Sequence, residues 1–307
     1  MGLLSAFRAS RATLGNNEID KYLTPINDEQ RKRLQKTVLA MYKDVMDYCE
    51  KEQIIPFLIG GSALGAVRHS GFIPWDDDLD IGMLRSHYDK FVYGFEKEYG
   101  SKYIVNSPGK DVNAKCRFTK VMKKGTICKE YGGPSDESIN GIYIDLFPID
   151  FVPDNALIRT VKGIHCNTIE YVSNQVYERE YGEHNKAHGQ NKTTMQQFAS
   201  VVKEVIGFVF SYRSSAGWFK RLNEVEQWHK HNTKYCSIVP GRKHYFGELI
   251  NNRIMPPRYV DFECLKAPVF SNVEDYLANL YGHDYMVIPP VEKRERHMIA
   301  KLKFGDE

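Results

Sequence analysis

The sequence predicts an α/β (α+β) protein, with a mixed sheet in its front part and a mostly helical back part. Three observations carry that reading. An amphipathic helical stripe runs directly into a short β-branched segment that ends at Gly60-Gly61-Ser62. Further apolar, strand-like runs follow before Asp150, and beyond Pro153 the apolar residues recur mainly at helical spacing. Composition agrees: of 307 residues 42% are hydrophobic and 26% charged, which excludes disordered and fibrous chains.

The elements follow in order. Asn27 and Gln30 form a capping box, and Leu34, Val38, Met41, Val45 and Tyr48 then recur in steps of four and three, predicting a helix from about Asp28 to Glu52. Ile54 to Ile59 is predicted as a buried strand, with Pro56 near its start, where a missing N–H does least harm. Gly60-Gly61-Ser62 is then a turn, and Ala63 to His69 a helix capped by Ser62. After the breakers Gly71 and Pro74, the alternation from Leu79 to Met83 predicts a half-buried strand. Ala114 to Met122 and Ile142 to Phe147 read as strands on either side of the turn-rich stretch Tyr131 to Asp136. Lys162 to Glu180, Thr193 to Tyr212 and Ala216 to His231 read as helices, and the seam between the two parts falls at Phe151 to Asn155.

Charge and cysteine usage narrow the function classes. Lys and Arg total 42 against 39 Asp and Glu, a formal charge of +3, so the cation surplus of a nucleic-acid binder is missing. The six cysteines show no C-x-x-C spacing, which predicts reduced thiols in a cytoplasm. Met1 to Gly15 lacks the pattern of a secretory signal, and the longest apolar stretch, Val201 to Phe210, is interrupted by Lys203, Glu204 and Gly207. With Arg213, Lys220 and Arg221 nearby, that stretch suits a helix resting on a membrane surface, although a buried helix is the simpler account. His229 and His231, two apart on a predicted helix, point away from each other and make no metal pair.

The chemistry concentrates around Gly60-Gly61-Ser62 and Asp76-Asp77-Asp78-Leu79-Asp80. On a strand, side chains two apart share a face, so Asp78 and Asp80 project together while Leu79 and Ile81 enter the core. Two carboxylates about 4 Å apart repel by roughly 4 kcal/mol at an effective dielectric near 20. One must hold a proton or a cation must lie between them, and Mg²⁺ (or Mn²⁺) suits carboxylates that also meet phosphates. The glycine turn and the helix behind it offer backbone N–H groups and a positive dipole end to such a phosphate. Asp76 and Asp77 fit a solvated loop equally well. A calcium loop starting at Asp76 fails, because Ile81 stands where Gly is needed and His87 where Glu is. Asp145 is one ionisable residue in an apolar strand; it faces a cation or an ion-pair partner, or else caps a loop. If its strand lies beside Leu79 to Met83, three acids converge.

At these residues the sequence resembles the LicD family, phosphocholine transferases of bacterial surface glycans that are related to fukutin and the fukutin-related protein. Gly61 to Asp80 (GSALGAVRHSGFIPWDDDLD) looks like the family's central motif, and Gly141 to Asp150 (GIYIDLFPID) like its second. Phe118 to Val121 resembles the strand carrying the family's lysine, and Tyr281 to His297 its C-terminal signature. The resemblance is weakest between Asp154 and Ser237, and Met1 to Tyr22 looks like an addition.

What the resemblance implies is a nucleotidyltransferase-like catalytic core over residues 27–152, preceded by an extension (1–26) and followed by a mostly helical region (153–307) that completes the site on its acceptor side. It implies transfer of a phospho-alcohol, phosphocholine from CDP-choline first of all, to a hydroxyl of a cell-surface glycan (teichoic acid, lipopolysaccharide or capsule), with CMP released. The acceptor would be lipid-linked and met at the inner face of the membrane. Carried over by motif, Asp78, Asp80 and Asp145 would be the metal carboxylates, Gly61 and Ser62 the phosphate turn, and Lys120 a phosphate contact or an ordinary strand lysine. Arg68 and Trp75 would touch substrate or brace the acidic loop; Asp145 would complete the metal shell or take the hydroxyl proton. No single aromatic among Trp75, Tyr131 and Tyr143 is marked out for choline. The competing readings are a metal-dependent glycosyltransferase, which also uses a D-x-D pair, and a non-catalytic glycan-binding relative.

Overall fold

The computed structural model describes residues 26–111, 114–130, 134, 136–181, 194–229, 231–291, 294 and 299–305. Its first helix, α1 (Asp28–Lys51), opens on the expected capping box: Asn27 Oδ1 accepts from the Gln30 N–H at 2.8 Å, and Gln30 Oε1 accepts from the Asn27 N–H at 3.1 Å. Its apolar stripe, Leu34, Val38, Met41 and Val45, is buried in the main core.

The sheet is built on β6 (Tyr143–Val152), the longest strand and buried over nearly all its length, as a strand covered on both faces must be. Along its first half β6 pairs in parallel with β2 (Asp80–Leu84) and antiparallel with β4 (Thr119–Lys123). Beyond β2 lies β1 (Phe57–Leu58), and beyond β4 lies β3 (Tyr103–Asn106), both antiparallel to their neighbours. Toward its end, Asp150 to Val152 pair instead with β7 (Tyr235–Ser237), which pairs with β8 (Leu249–Asn251). One strand therefore runs from the front part into the back part, and the expected seam coincides with its end and the start of the next helix at Ala156.

Two two-stranded ribbons stand apart from this sheet: β5 (Ile127–Glu130) with the distant β11 (Ile299–Lys303), and the hairpin of β9 (Pro257–Phe262) with β10 (Leu265–Phe270). The other helices are α2 (Gly60–His69), α3 (Arg85–Tyr99), α4 (Ala156–Tyr181), α5 (Thr194–Val209), α6 (Ser215–Glu226), α7 (His244–Gly247) and α8 (Val273–Tyr281).

Several expectations change for physical reasons. The strand expected at Ile54 to Ile59 shrinks to Phe57–Leu58, because β2 offers only Gly82 and Ile81 as partners. The helix expected at Ala63 begins at Gly60, whose φ of 54° only glycine adopts freely, so Ser62 lies in the first turn and is not the cap. The strand expected at Ala114 to Met122 forms only from Thr119 onward, where β3 and β6 supply partners. The strand expected to stop at Phe147 continues through Pro148 to Val152. Pro148 falls between Leu146, the last residue paired with β4, and Asp150, the first paired with β7, so its missing N–H costs no bond on that edge. The helix expected to reach His231 ends at Glu226, and the rings of His229 and His231 meet edge-to-face at 5.9 Å instead of pointing apart. Finally, α5 is not a buried helix: Phe198, Val201, Val205, Phe208 and Val209 are all exposed.

Candidate active site

The parallel pairing of β2 with β6 sets Asp80 in register with Asp145, and Asp78 lies just before β2. Ligand oxygens of Asp78, Asp80 and Asp145 all lie within 4.8 Å of one another; among the described residues this trio is the group of His, Cys, Asp and Glu side chains able to hold a metal. Asp145 is buried and the other two are half-buried. At that separation and an effective dielectric near 20, each pair of charges repels by roughly 3.5 kcal/mol. The donor set is carboxylate oxygen throughout, which fits a hard divalent cation.

Backbone and side chains hold the trio in place. The Asp145 N–H donates to Leu79 O at 3.0 Å, and the Ile59 N–H donates to Asp80 O at 3.2 Å. The Asp80 N–H donates to Ser62 Oγ at 2.8 Å, tying the first turn of α2 to the start of β2. A Cβ on Gly60 would stand 3.0 Å from Asp80 Oδ2, and one on Gly61 3.2 Å from Asp76 Oδ2, so both glycines keep the turn close to carboxylates. The positive end of α2 thus faces the acidic centre.

Lys120, on β4 opposite Asp145, points into the same place. Its Nζ is 2.8 Å from Glu130 Oε1 and 3.8 Å from Asp145 Oδ1, and lies 3.4 Å from the centre of the Tyr143 ring. Burial disfavours the Lys120 ammonium, but Asp145 and Glu130 outweigh it and hold its pKa above the ordinary value. The Tyr143 hydroxyl donates to Glu130 at 2.6 Å, and with Lys120 over one face of its ring that face is already occupied.

Arg68 is hydrogen-bonded within the protein. Its Nη1 donates to Tyr285 O at 2.8 Å and Nε to His69 Nε2 at 3.0 Å, fastening α2 to the chain after α8. Trp75 is buried between the Arg68 and Arg294 guanidiniums, 5.9 and 4.2 Å from its ring centre. Tyr131 and His297 lie outside the described residues.

Two residues behind the turn escape sequence reasoning. The Gly60 N–H donates to Tyr276 Oη at 3.1 Å, and the Tyr276 hydroxyl donates over a long 3.5 Å to Glu248 Oε2. Burial raises the Glu248 carboxyl to about 7. Tyr276 is 216 residues from Gly60, and no local pattern marks it. Glu130, likewise, has no motif around it.

Comparison with known proteins now adds to this geometry. The family model described as LicD/FKTN/FKRP, nucleotidyltransferase domain, matches residues 53–181. Over 269 residues the chain is 28% identical to the lipopolysaccharide cholinephosphotransferase LicD of Haemophilus influenzae, covering 84% of this chain and 93% of that protein. It is also 31% identical over 146 residues to an uncharacterised protein of Rickettsia typhi, covering 45% of this chain and 43% of the relative. The matched segment spans β1 through α4 and contains all three acids. Residues 53–181 are thus similar to the LicD/FKTN/FKRP nucleotidyltransferase domain, and most of the chain is similar to a protein named as a cholinephosphotransferase.

Proposed function

We propose that this protein transfers phosphocholine from CDP-choline to a hydroxyl of a lipid-linked surface glycan, lipopolysaccharide in the first instance, and releases CMP. The observation that carries the reading is the convergence of Asp78, Asp80 and Asp145 at the first turn of α2, in a chain similar over most of its length to a lipopolysaccharide cholinephosphotransferase.

In the proposed reaction, the acceptor hydroxyl oxygen forms a bond to the phosphorus bearing choline, the bond from that phosphorus to the bridging oxygen of CMP breaks, and the hydroxyl proton is released to solvent. Positioning and charge compensation do most of the work in such transfers. Asp78, Asp80 and Asp145 would hold a divalent cation such as Mg²⁺, which would supply charge neutralisation for the donor pyrophosphate. The first turn of α2, with Gly61 and Ser62, gives phosphate oxygens a close backbone approach at a helix N-terminus. Lys120, kept charged beside Asp145, offers a second cation to the departing phosphate. Arg68 sets the turn by anchoring α2 and is a positioning residue. The place of work is the cytoplasmic side of the membrane, where the nucleotide donor is met.

The test is CMP release from CDP-choline in the presence of Mg²⁺ and a glycan acceptor. Expected is CMP stoichiometric with a phosphodiester on the glycan. A new glycosidic bond from a nucleotide sugar, or undiminished release by Asp80→Ala, overturns the proposal.

A further inference from the structure

No helix among the described residues is long and apolar enough to cross a membrane, yet α5 carries more apolar surface than its packing uses. One face is buried in the usual way: Ile206 and Phe210 pack against Val172, Val176 and Trp218 from α4 and α6, and Gly207 lets α5 approach the Gln175 backbone closely. A second face shows Phe198, Val201, Val205 and Phe208, at steps of three and four, to solvent; Phe208 is 66% exposed, and Tyr212, in the turn beyond the helix, 74%. A helix needs one apolar stripe to pack on its domain, and a second stripe of large side chains marks a contact still to be made.

The surface continues onto α4. Gln175 and Arg179, against which α5 lies, share a helical face with Leu157, Val161 and Ile164, which emerge uncovered three to five turns earlier. Charge is distributed to match an anionic partner. From Met195 to Arg221 the chain has four basic residues (Lys203, Arg213, Lys220, Arg221) and one acidic, Glu204, with Arg221 also paired to Glu224 at 3.2 Å. The Arg179 guanidinium lies 5.1 Å from the centre of the exposed Phe208 ring, at the edge of the stripe.

We propose that the outer face of α5, with the exposed start of α4, docks the protein on the surface of an anionic lipid bilayer. The apolar side chains enter the interface and Arg179, Arg213, Lys220 and Arg221 meet headgroup phosphates. A second copy of the chain fits less well, because a two-fold contact would bring this basic patch against its own copy. The inference rests on the proposed function only in supposing that a lipid-linked acceptor is met at the bilayer; the surface itself is independent of it.

Co-sedimentation of the full chain with vesicles, without any substrate, tests the surface alone. With phosphatidylglycerol and phosphatidylethanolamine vesicles the chain should pellet, and binding should weaken with salt and on neutral phosphatidylcholine. The triple variant Phe198→Ser, Val205→Ser, Phe208→Ser should lose about tenfold or more in partitioning. It should keep the parent's melting curve and its CMP release toward a soluble acceptor. A second variant, Arg213→Glu, Lys220→Glu, Arg221→Glu, should lose binding to anionic vesicles. Absence of vesicle binding by the parent, undiminished binding by the triple variant, a parental dimer that the triple variant splits, or binding that needs removal of residues 1–25 would each overturn the docking proposal. None of these outcomes bears on whether CMP is released.

Discussion

Asp145 and Asp150 stand five residues apart on β6, both buried, and the period of two along a strand sends them to opposite faces of the sheet. Asp150 meets Arg85, whose Nε and Nη2 donate to its two oxygens at 2.9 and 2.6 Å. Glu226 joins at 3.2 Å, and Lys162 Nζ closes the group by donating to the Glu226 carbonyl at 2.8 Å. Burial disfavours the Arg85 guanidinium, but Asp150 and Glu226 overcome it and raise its pKa above the ordinary value. Asp145 also has a cation nearby, Lys120 Nζ at 3.8 Å, but it is gathered with two further carboxylates, Asp78 and Asp80. The first arrangement is an ion-pair cluster that binds the back part to the front; the second crowds like charges where substrate chemistry is expected. A buried carboxylate held bidentately by a guanidinium is structural, and one crowded among three carboxylates beside a more distant ammonium is a candidate for chemistry.

Paired substitutions test that contrast. Asp80→Asn should lower CMP release by about 10³-fold, while leaving the metal-free unfolding midpoint in urea at or above the parent's, because one of three crowded charges is gone. Arg85→Met should do the reverse: about 3 to 5 kcal/mol of stability lost, because Asp150 and Glu226 are left buried without their guanidinium, with specific activity kept in the fraction that remains folded. Equal destabilisation by both variants would erase the distinction between the two clusters.

Magnesium should sharpen it further. A cation held only by the folded trio raises stability by about 2.7 kcal/mol at a hundredfold excess over its dissociation constant. Thermal melts of the parent should therefore rise with Mg²⁺ and fall back with EDTA, and those of Asp80→Asn should not move. Arg85→Met should still respond, from its lower starting point. A parent melting temperature indifferent to Mg²⁺ would count against the metal assignment while leaving the ion-pair cluster untouched.

The two clusters also differ in how much of them sequence discloses. Asp78 and Asp80 are two apart on an alternating run, and Asp145 is one acid in an apolar strand, so local patterns suffice to suggest that they meet. Arg85 and Asp150 are 65 residues apart and Glu226 lies 141 from Arg85, with no pattern to join them. The same limit hides Tyr276 and Glu248 behind Gly60. Ser62 misleads for a related reason: its type favours a cap, but its hydroxyl accepts from the Asp80 N–H, a contact that exists only once β2 is in place. Periodicity predicts that α5 is amphipathic, but not which of its apolar faces the domain covers.

Glu248 represents a third way to bury a carboxylate, and carries the smallest of these effects. Among the described residues it joins neither a guanidinium cluster nor a group of acids; burial lifts its carboxyl from 4.5 to about 7, only partly opposed by the Lys243 N–H, the Tyr276 hydroxyl, the Lys243 charge and the Arg242 N–H. A carboxyl raised in the fold stabilises most fully below its ordinary value, where both states are protonated, and that stability is lost as pH rises through about 7. Glu248→Gln imitates the protonated form at every pH. Relative to this variant the parent should lose about 2 kcal/mol between pH 5 and 7.5, read as diverging urea midpoints across that window. Parallel curves would mean that Glu248 stays ionised in the fold and that a counter-charge is supplied after all, which would move it from the third class into that of Asp150. Because Tyr276 joins Glu248 to the Gly60 N–H, the same titration should reach the turn at the acidic centre without altering the trio itself.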